Sequence, residues 1–133
     1  MKKKSLFLKT IILFIVLSVG CKKDNPAPQV YSYPVIYTAN ASGLPGDVFT
    51  LYYEVNGSIL TQQLIINSAG TASSWTLNFT AKSGDKLYMS LSSQKTGDWE
   101  QVLIIYTNTN GSKDGANDTQ NYPNTALATV TLL

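Results

Sequence analysis

Carboxylates two residues apart are the first place to look for chemistry in this chain. Asp98 and Glu100 would share a face if they stood on a strand, and two carboxyl groups flanking a substrate can cleave a glycosidic bond. Next to the apolar run that follows them, they read more simply as the solvated end of a strand. The chain has no histidine and no arginine, and Cys21 is its single cysteine. Ser-His-Asp and Cys-His catalysis, thiolate metal sites and histidine-bound zinc are therefore excluded. Residues 107–122 hold Asn110, Asp114, Asn117 and Asp118, oxygen donors of the kind calcium takes. They lack the ordered spacing and the bidentate glutamate of a calcium loop. The segment is expected to be a long solvated connection whose polar side chains offer a surface to a partner. No glycine-rich loop opens a helix, so no phosphate site is indicated. The expectation is a protein that is not an enzyme and needs no metal or cofactor.

Tyrosine supplies the other candidate. Tyr52 and Tyr88 each fall on the side of a strand opposite its apolar residues. Among serines and threonines they form either an aromatic platform for a glycan or peptide, or cover for a second face.

The elements that would position these residues are strands. From Val30 onward apolar and polar residues alternate at period two, broken by Gly, Asn and Asp clusters, which is the pattern of half-buried strands. Residues 30–38 form a first strand, with Pro34 suggesting an edge or a bulge. In 47–55, Phe49, Leu51, Tyr53 and Val55 share one face, and Asn56 with Gly57 supplies the tight turn into 59–66. Trp75, Leu77, Phe79 and Ala81 alternate in the same way, and after the 82–85 turn Leu87, Met89 and Leu91 follow as an expected second hairpin. Residues 99–107 are evenly apolar, as a central strand would be, and 126–132 close the chain. Trp75 and Trp99 are both expected in the core. No helical period is evident after Cys21. The predicted fold is all-β, an antiparallel Ig-like β-sandwich of six to eight short strands spanning 30–133.

The N-terminal part is different in kind. Lys2, Lys3, Lys4 and Lys9 precede the apolar run 10–19, which ends in Gly20 and Cys21. A basic start, an apolar stretch of about 7–15 residues and small residues at the cut describe a secretory signal, here helical and spanning 1–20. The run is too short for a membrane span, which takes about 20 apolar residues. Leu17, Ser18, Val19, Gly20 and Cys21 resemble the box that ends the signal of bacterial lipoproteins, with Ser18 where the family has leucine. That resemblance implies lipid attachment at Cys21, and two or more acyl chains give stable anchoring. Residues 21–29, with Pro26 and Pro28, read as the lipidated N-terminus and a disordered tether with a reach of roughly 25 Å. Lys22, Lys23 and Asp24 followed by prolines look like the start of Bacteroidetes-type lipoproteins. An outer-membrane location follows, with either face open. Beyond residue 20, six lysines against eight acids leave a net charge of −2, which makes nucleic acid a poor partner.

Within the strand region, 74–91 (SWTLNFTAKSGDKLYMSL), 51–57 (LYYEVNG) and 102–106 (VLIIY) resemble segments of the MmpS-like small envelope proteins. The resemblance implies an envelope domain that binds a partner or lipid-like cargo as an accessory of a membrane transport system. The chain departs from that family at Ser74, where the family has proline, and in lacking a C-terminal cysteine pair. The competing expectations are a surface-exposed glycan- or peptide-recognition module and a structural envelope lipoprotein.

Overall fold

The computed structural model describes residues 27–68 and 72–133; the signal-like segment, Cys21 and the first part of the expected tether lie outside the described residues. Eight strands follow one another: β1 (Ser32–Ser42), β2 (Val48–Val55), β3 (Ser58–Ile65), β4 (Ser73–Lys82), β5 (Lys86–Ser92), β6 (Trp99–Thr107), β7 (Lys113–Asn121) and β8 (Ala126–Thr131). All pairings are antiparallel. The strands make two four-stranded sheets, ordered β4-β1-β6-β7 and β3-β2-β5-β8.

Period-two alternation becomes burial. Phe49 and Leu51 of β2, Leu87, Met89 and Leu91 of β5, and Val35 and Tyr37 of β1 are all buried, as are Val102 and Ile104 of β6. These inner faces meet in one core, where each large apolar side chain contributes about 1.5–3 kcal/mol. Trp75, Leu77 and Phe79 of β4 pack against it from the first sheet's edge, with Trp75 4.7 Å from the Tyr53 ring and Phe79 4.9 Å from that of Tyr37. With one cysteine in the chain, no intrachain disulfide assists. The sheets are also joined by a hydroxyl: buried Tyr37 donates to Glu54 O at 2.9 Å and accepts from Tyr88 N–H at 3.2 Å. Pairing of β2 with β5 ends at Tyr53 and Met89, so the hydroxyl takes over where the ladder stops. Burial pushes its pKa up to about 12.

Three expectations are corrected. The 82–85 turn does not close a hairpin: β4 pairs with β1 in one sheet, while β5 pairs with β2 and β8 in the other. A turn sequence specifies a reversal, not whether the chain returns within its sheet or crosses to the facing one. The Asn56 and Gly57 turn is a true hairpin, with φ of 52° and 76°, as a two-residue primed turn requires. Pro34 lies on neither an edge nor a bulge: β1 is interior, but its pairing with β6 begins only at Val35, so no β6 ladder exists at the proline to be interrupted. Trp99 stands half-buried on the outer side of β6, alternating with buried Glu100, and is not a core residue.

The loops gather at two poles. One holds Tyr31, the 56–57 and 82–85 turns, 108–112 and the C-terminal Leu133; Ser83 N–H donates to Tyr31 O, Gly84 N–H to Leu132 O, and the Tyr33 hydroxyl to Leu133 O. The other holds 43–47, 93–98 and 122–125.

Candidate functional site

Two places collect the residues singled out by chemistry. At the second pole, Asp98 and Glu100 are buried, 3% and 0% exposed, and not solvated as expected. The β1–β2 loop delivers Asp47 beside them, and the β5–β6 loop delivers Ser93 and Lys95. Asp47 accepts from Leu44 N–H at 2.6 Å and from the Lys95 ammonium. Glu100 accepts from Ser93 N–H through Oε1 and from Ala126 N–H at 3.4 Å through Oε2. Tyr122 N–H donates to Asp98 O at 3.3 Å. The Asp47 and Glu100 carboxylates and the Asp98 backbone carbonyl thus tie three loops together, and no buried side-chain polar atom among the described residues lacks a partner.

Gly43 measures how tightly the acids meet. A β-carbon there would lie 2.6 Å from Asp98 Oδ1 and 2.8 Å from Asp47 Oδ2. Their electrostatics diverge for stated reasons. The Lys95 hydrogen bond and charge hold Asp47 below the usual carboxylate range, while burial and then the Asp47 charge push Asp98 up. Burial also raises Glu100, against its two backbone donors. One acid is therefore disposed to hold a proton beside another disposed to give it up. A cleft of about 310 Å³ lies over this corner, lined by Ser42, Gly43, Leu44, Thr96, Gly97 and Asp98. The oxygens of Asp47 and Glu100 are already engaged by backbone N–H groups and Lys95, so the cluster acts first as a loop fastener. No group of three or more acidic, histidine or cysteine side chains suited to a metal is found among the described residues.

The second place is the outer face of the β3-β2-β5-β8 sheet, where both candidate tyrosines lie. Tyr52 of β2 is 42% exposed and sits opposite Ser90 of β5. Tyr88, two residues along β5, is half-buried and donates to Ser90 Oγ at 3.0 Å. They are diagonal neighbours, within reach of one ligand. Toward the β3 edge the face continues with Val48 opposite Ile65 and Glu54 opposite Ile59, and Val48, Ile59 and Ile65 are all exposed. Thr50, Thr61 and Gln63 lie between these aliphatic residues along the face. Alternation in the sequence places the tyrosines, and Val48 with Tyr52, but not Ile59 and Ile65, whose outward direction is fixed by pairing.

The 107–122 residues are not a loop throughout. Residues 113–121 are β7, paired with β6 along its length. An edge strand needs no apolar alternation when its backbone bonds hold it, which hid β7 among Asp, Asn and Gly. Asn110 remains in a turn, where its Oδ1 accepts from Ser112 N–H at 2.9 Å. Asp114 Oδ1 accepts from Gly115 N–H at 2.7 Å. Asp118 accepts from Leu127 N–H at 2.9 Å, joining β7 to β8, and this bond leads the causes that lower its pKa. Asn117 falls on the opposite side of β7 from Asp114 and Asp118, opposite Leu103. The four do not converge on one point. Comparison of the chain with protein-family models, with curated proteins and with solved structures found no match.

Proposed function

We propose that this chain is a lipid-anchored binding protein of the bacterial cell envelope. Cys21 is its attachment site, and its domain is an Ig-like β-sandwich that acts without catalysis. The basic start, short apolar run and lone cysteine support the anchor. The observation that carries the binding role is the exposed Tyr52 on an open sheet face that also bears the exposed Val48 and Ile65. The partner most in keeping with the MmpS-like resemblance is a component of an envelope transport system. A glycan or peptide ligand is the second reading, favoured by the Tyr52 and Tyr88 pair, because aromatic faces stack on sugar rings and peptide side chains.

Labelling cells with a palmitate analogue tests the anchor: wild type takes up label and fractionates with membranes, and Cys21→Ser does neither. An unlabelled wild type, or a Cys21→Ser protein still firmly in the membrane fraction, defeats the lipoprotein reading. In-cell cross-linking from position 50, on the same face as Tyr52, tests the surface. Adducts lost with Tyr52→Ser support it, and adducts unchanged by that substitution remove this face from consideration.

A further inference from the structure

Sheet edges are where chains join, and proteins protect them with charge, proline, bulges or a covering segment. The β4 edge carries Lys82, and β7 carries Lys113, Asp114 and Asp118. At β8 the Leu127 N–H is taken by Asp118. β3 differs. Its eight residues, SILTQQLI, include no charge, proline or glycine, and only Leu64 is buried. Ile59 is 67% exposed, Leu60 44% and Ile65 47%.

Hairpin geometry shows which backbone groups are free. A two-residue turn makes its flanking residues, here Val55 and Ser58, a hydrogen-bonded pair. Even-numbered residues of β3 therefore bond to β2, and Ile59, Thr61, Gln63 and Ile65 direct their N–H and C=O groups away from it. Two contacts agree. Ile66 N–H bonds to Asp47 O at 3.0 Å on the β2 side, and Gln63 O accepts from the neighbouring Gln62 side-chain amide at 3.1 Å.

We propose that β3 joins two copies of this chain edge to edge, antiparallel, about a two-fold axis through Gln62. A two-fold normal to the sheet pairs residues that share a face, so odd-numbered residues must meet odd-numbered ones. Pairing about Gln62 sets Ile59 opposite Ile65 of the second copy, Leu60 opposite Leu64, and Thr61 opposite Gln63. The order Ile-Leu, three polar residues, Leu-Ile reads alike in both directions, so apolar meets apolar on both faces. Pairing about Thr61 would instead oppose Ile59 to Gln63 and Leu60 to Gln62. In the Gln62 register, the free groups of the four odd-numbered residues all meet partners, making about eight backbone hydrogen bonds. The result is one continuous eight-stranded sheet. The interface takes Ile59 and Ile65 from the border of the tyrosine face, and it does not rest on what that face binds or on how the chain is anchored.

The test uses the full chain purified in mild detergent. Light scattering should give twice the protein mass of a single copy. Thr61→Pro removes an outward N–H that β2 does not use, so it should halve the mass with an unchanged circular dichroism spectrum. Gln62→Cys in a Cys21→Ser background meets its own copy across a non-hydrogen-bonded pair, Cα atoms about 4.5 Å apart, within disulfide reach. Mild oxidation should convert it to linked dimer, while Thr50→Cys, one strand in, stays unlinked. A wild type of single-copy mass, a folded Thr61→Pro protein that keeps the double mass, or Gln62→Cys linking no faster than Thr50→Cys would each overturn the proposal. Should Thr61→Pro unfold, the cysteine comparison alone decides. Light scattering showing one copy bound to an extended peptide from another protein also counts against it.

Discussion

Gly115 faces Ile105 in the β6–β7 ladder, and the space for a side chain there is already occupied. A β-carbon would stand 1.8 Å from Ile104 O, 2.9 Å from Ile104 C and 3.1 Å from Ile105 Cα. Carbon contacts settle at about 3.5 Å, so Gly115→Ala needs well over 1 Å of extra room. The obstacle is backbone, which cannot swing aside as a side chain can. β7 must move off β6 locally, and a 2.9 Å hydrogen bond stretched that far is broken. Losing two such bonds at about 1 kcal/mol each, with overpacking of about 1–3 kcal/mol, gives roughly 3–5 kcal/mol. A domain of this size has about 5–15 kcal/mol in all, so the change is large. Urea unfolding followed by the fluorescence of Trp75 and Trp99 should show the midpoint falling with the slope unchanged. Native-state hydrogen exchange should quicken first along β7. A Gly115→Ala midpoint within about 0.5 kcal/mol of wild type, the scatter of neutral surface changes, would refute the close approach of β7 to β6.

The acidic pole gives a pH prediction with two signs. Asp98 and Glu100 titrate higher folded than unfolded, so the folded state binds their protons more tightly and stability declines as pH rises from the ordinary values of 3.8 and 4.5 through the raised ones. Asp47 is the reverse: its contribution is present above 3.8 and lost as pH falls through its depressed value. Urea midpoints from pH 2 to 8 should therefore show a flatter decline above 4.5 in Glu100→Gln and a flatter acid limb in Asp47→Asn; an unchanged profile in both contradicts the assignment. At the β2–β3 turn, Gly57→Ala should cost about 1–2 kcal/mol, because φ of 76° crowds a β-carbon. A neutral result there would mean that the turn relaxes to another type.

Much of this fold is readable residue by residue. Phe49 and Leu51, or Leu87, Met89 and Leu91, announce buried faces because an alternating strand can bury only one side, and Asn56 with Gly57 announces a hairpin because few residues accept positive φ. What escapes is whatever depends on distant partners. Whether 82–85 reverses within a sheet or across the core is decided by β1, β2 and β8, far along the chain. β7 has no apolar period because its order comes from β6. Asp98 and Glu100 look solvated until Asp47, Lys95, Ser93 and Ala126 arrive from separate segments to enclose them. The outward tyrosines were legible, and the palindrome in β3 becomes meaningful only once its free edge is known.

The position of Tyr31 has a consequence for how such a protein would lie. The described chain begins at the pole holding the 82–85 turn and Leu133, opposite the acidic one. Antiparallel joining through β3 turns the second copy end over end, so the two N-terminal leads emerge at opposite ends of the pair. If both are anchored in one bilayer, as proposed for Cys21, the pair cannot stand upright on it. It must recline like a plank moored at bow and stern, strands parallel to the lipid surface. Each acidic pole then looks sideways along the membrane, and one broad sheet face is directed squarely toward or away from it.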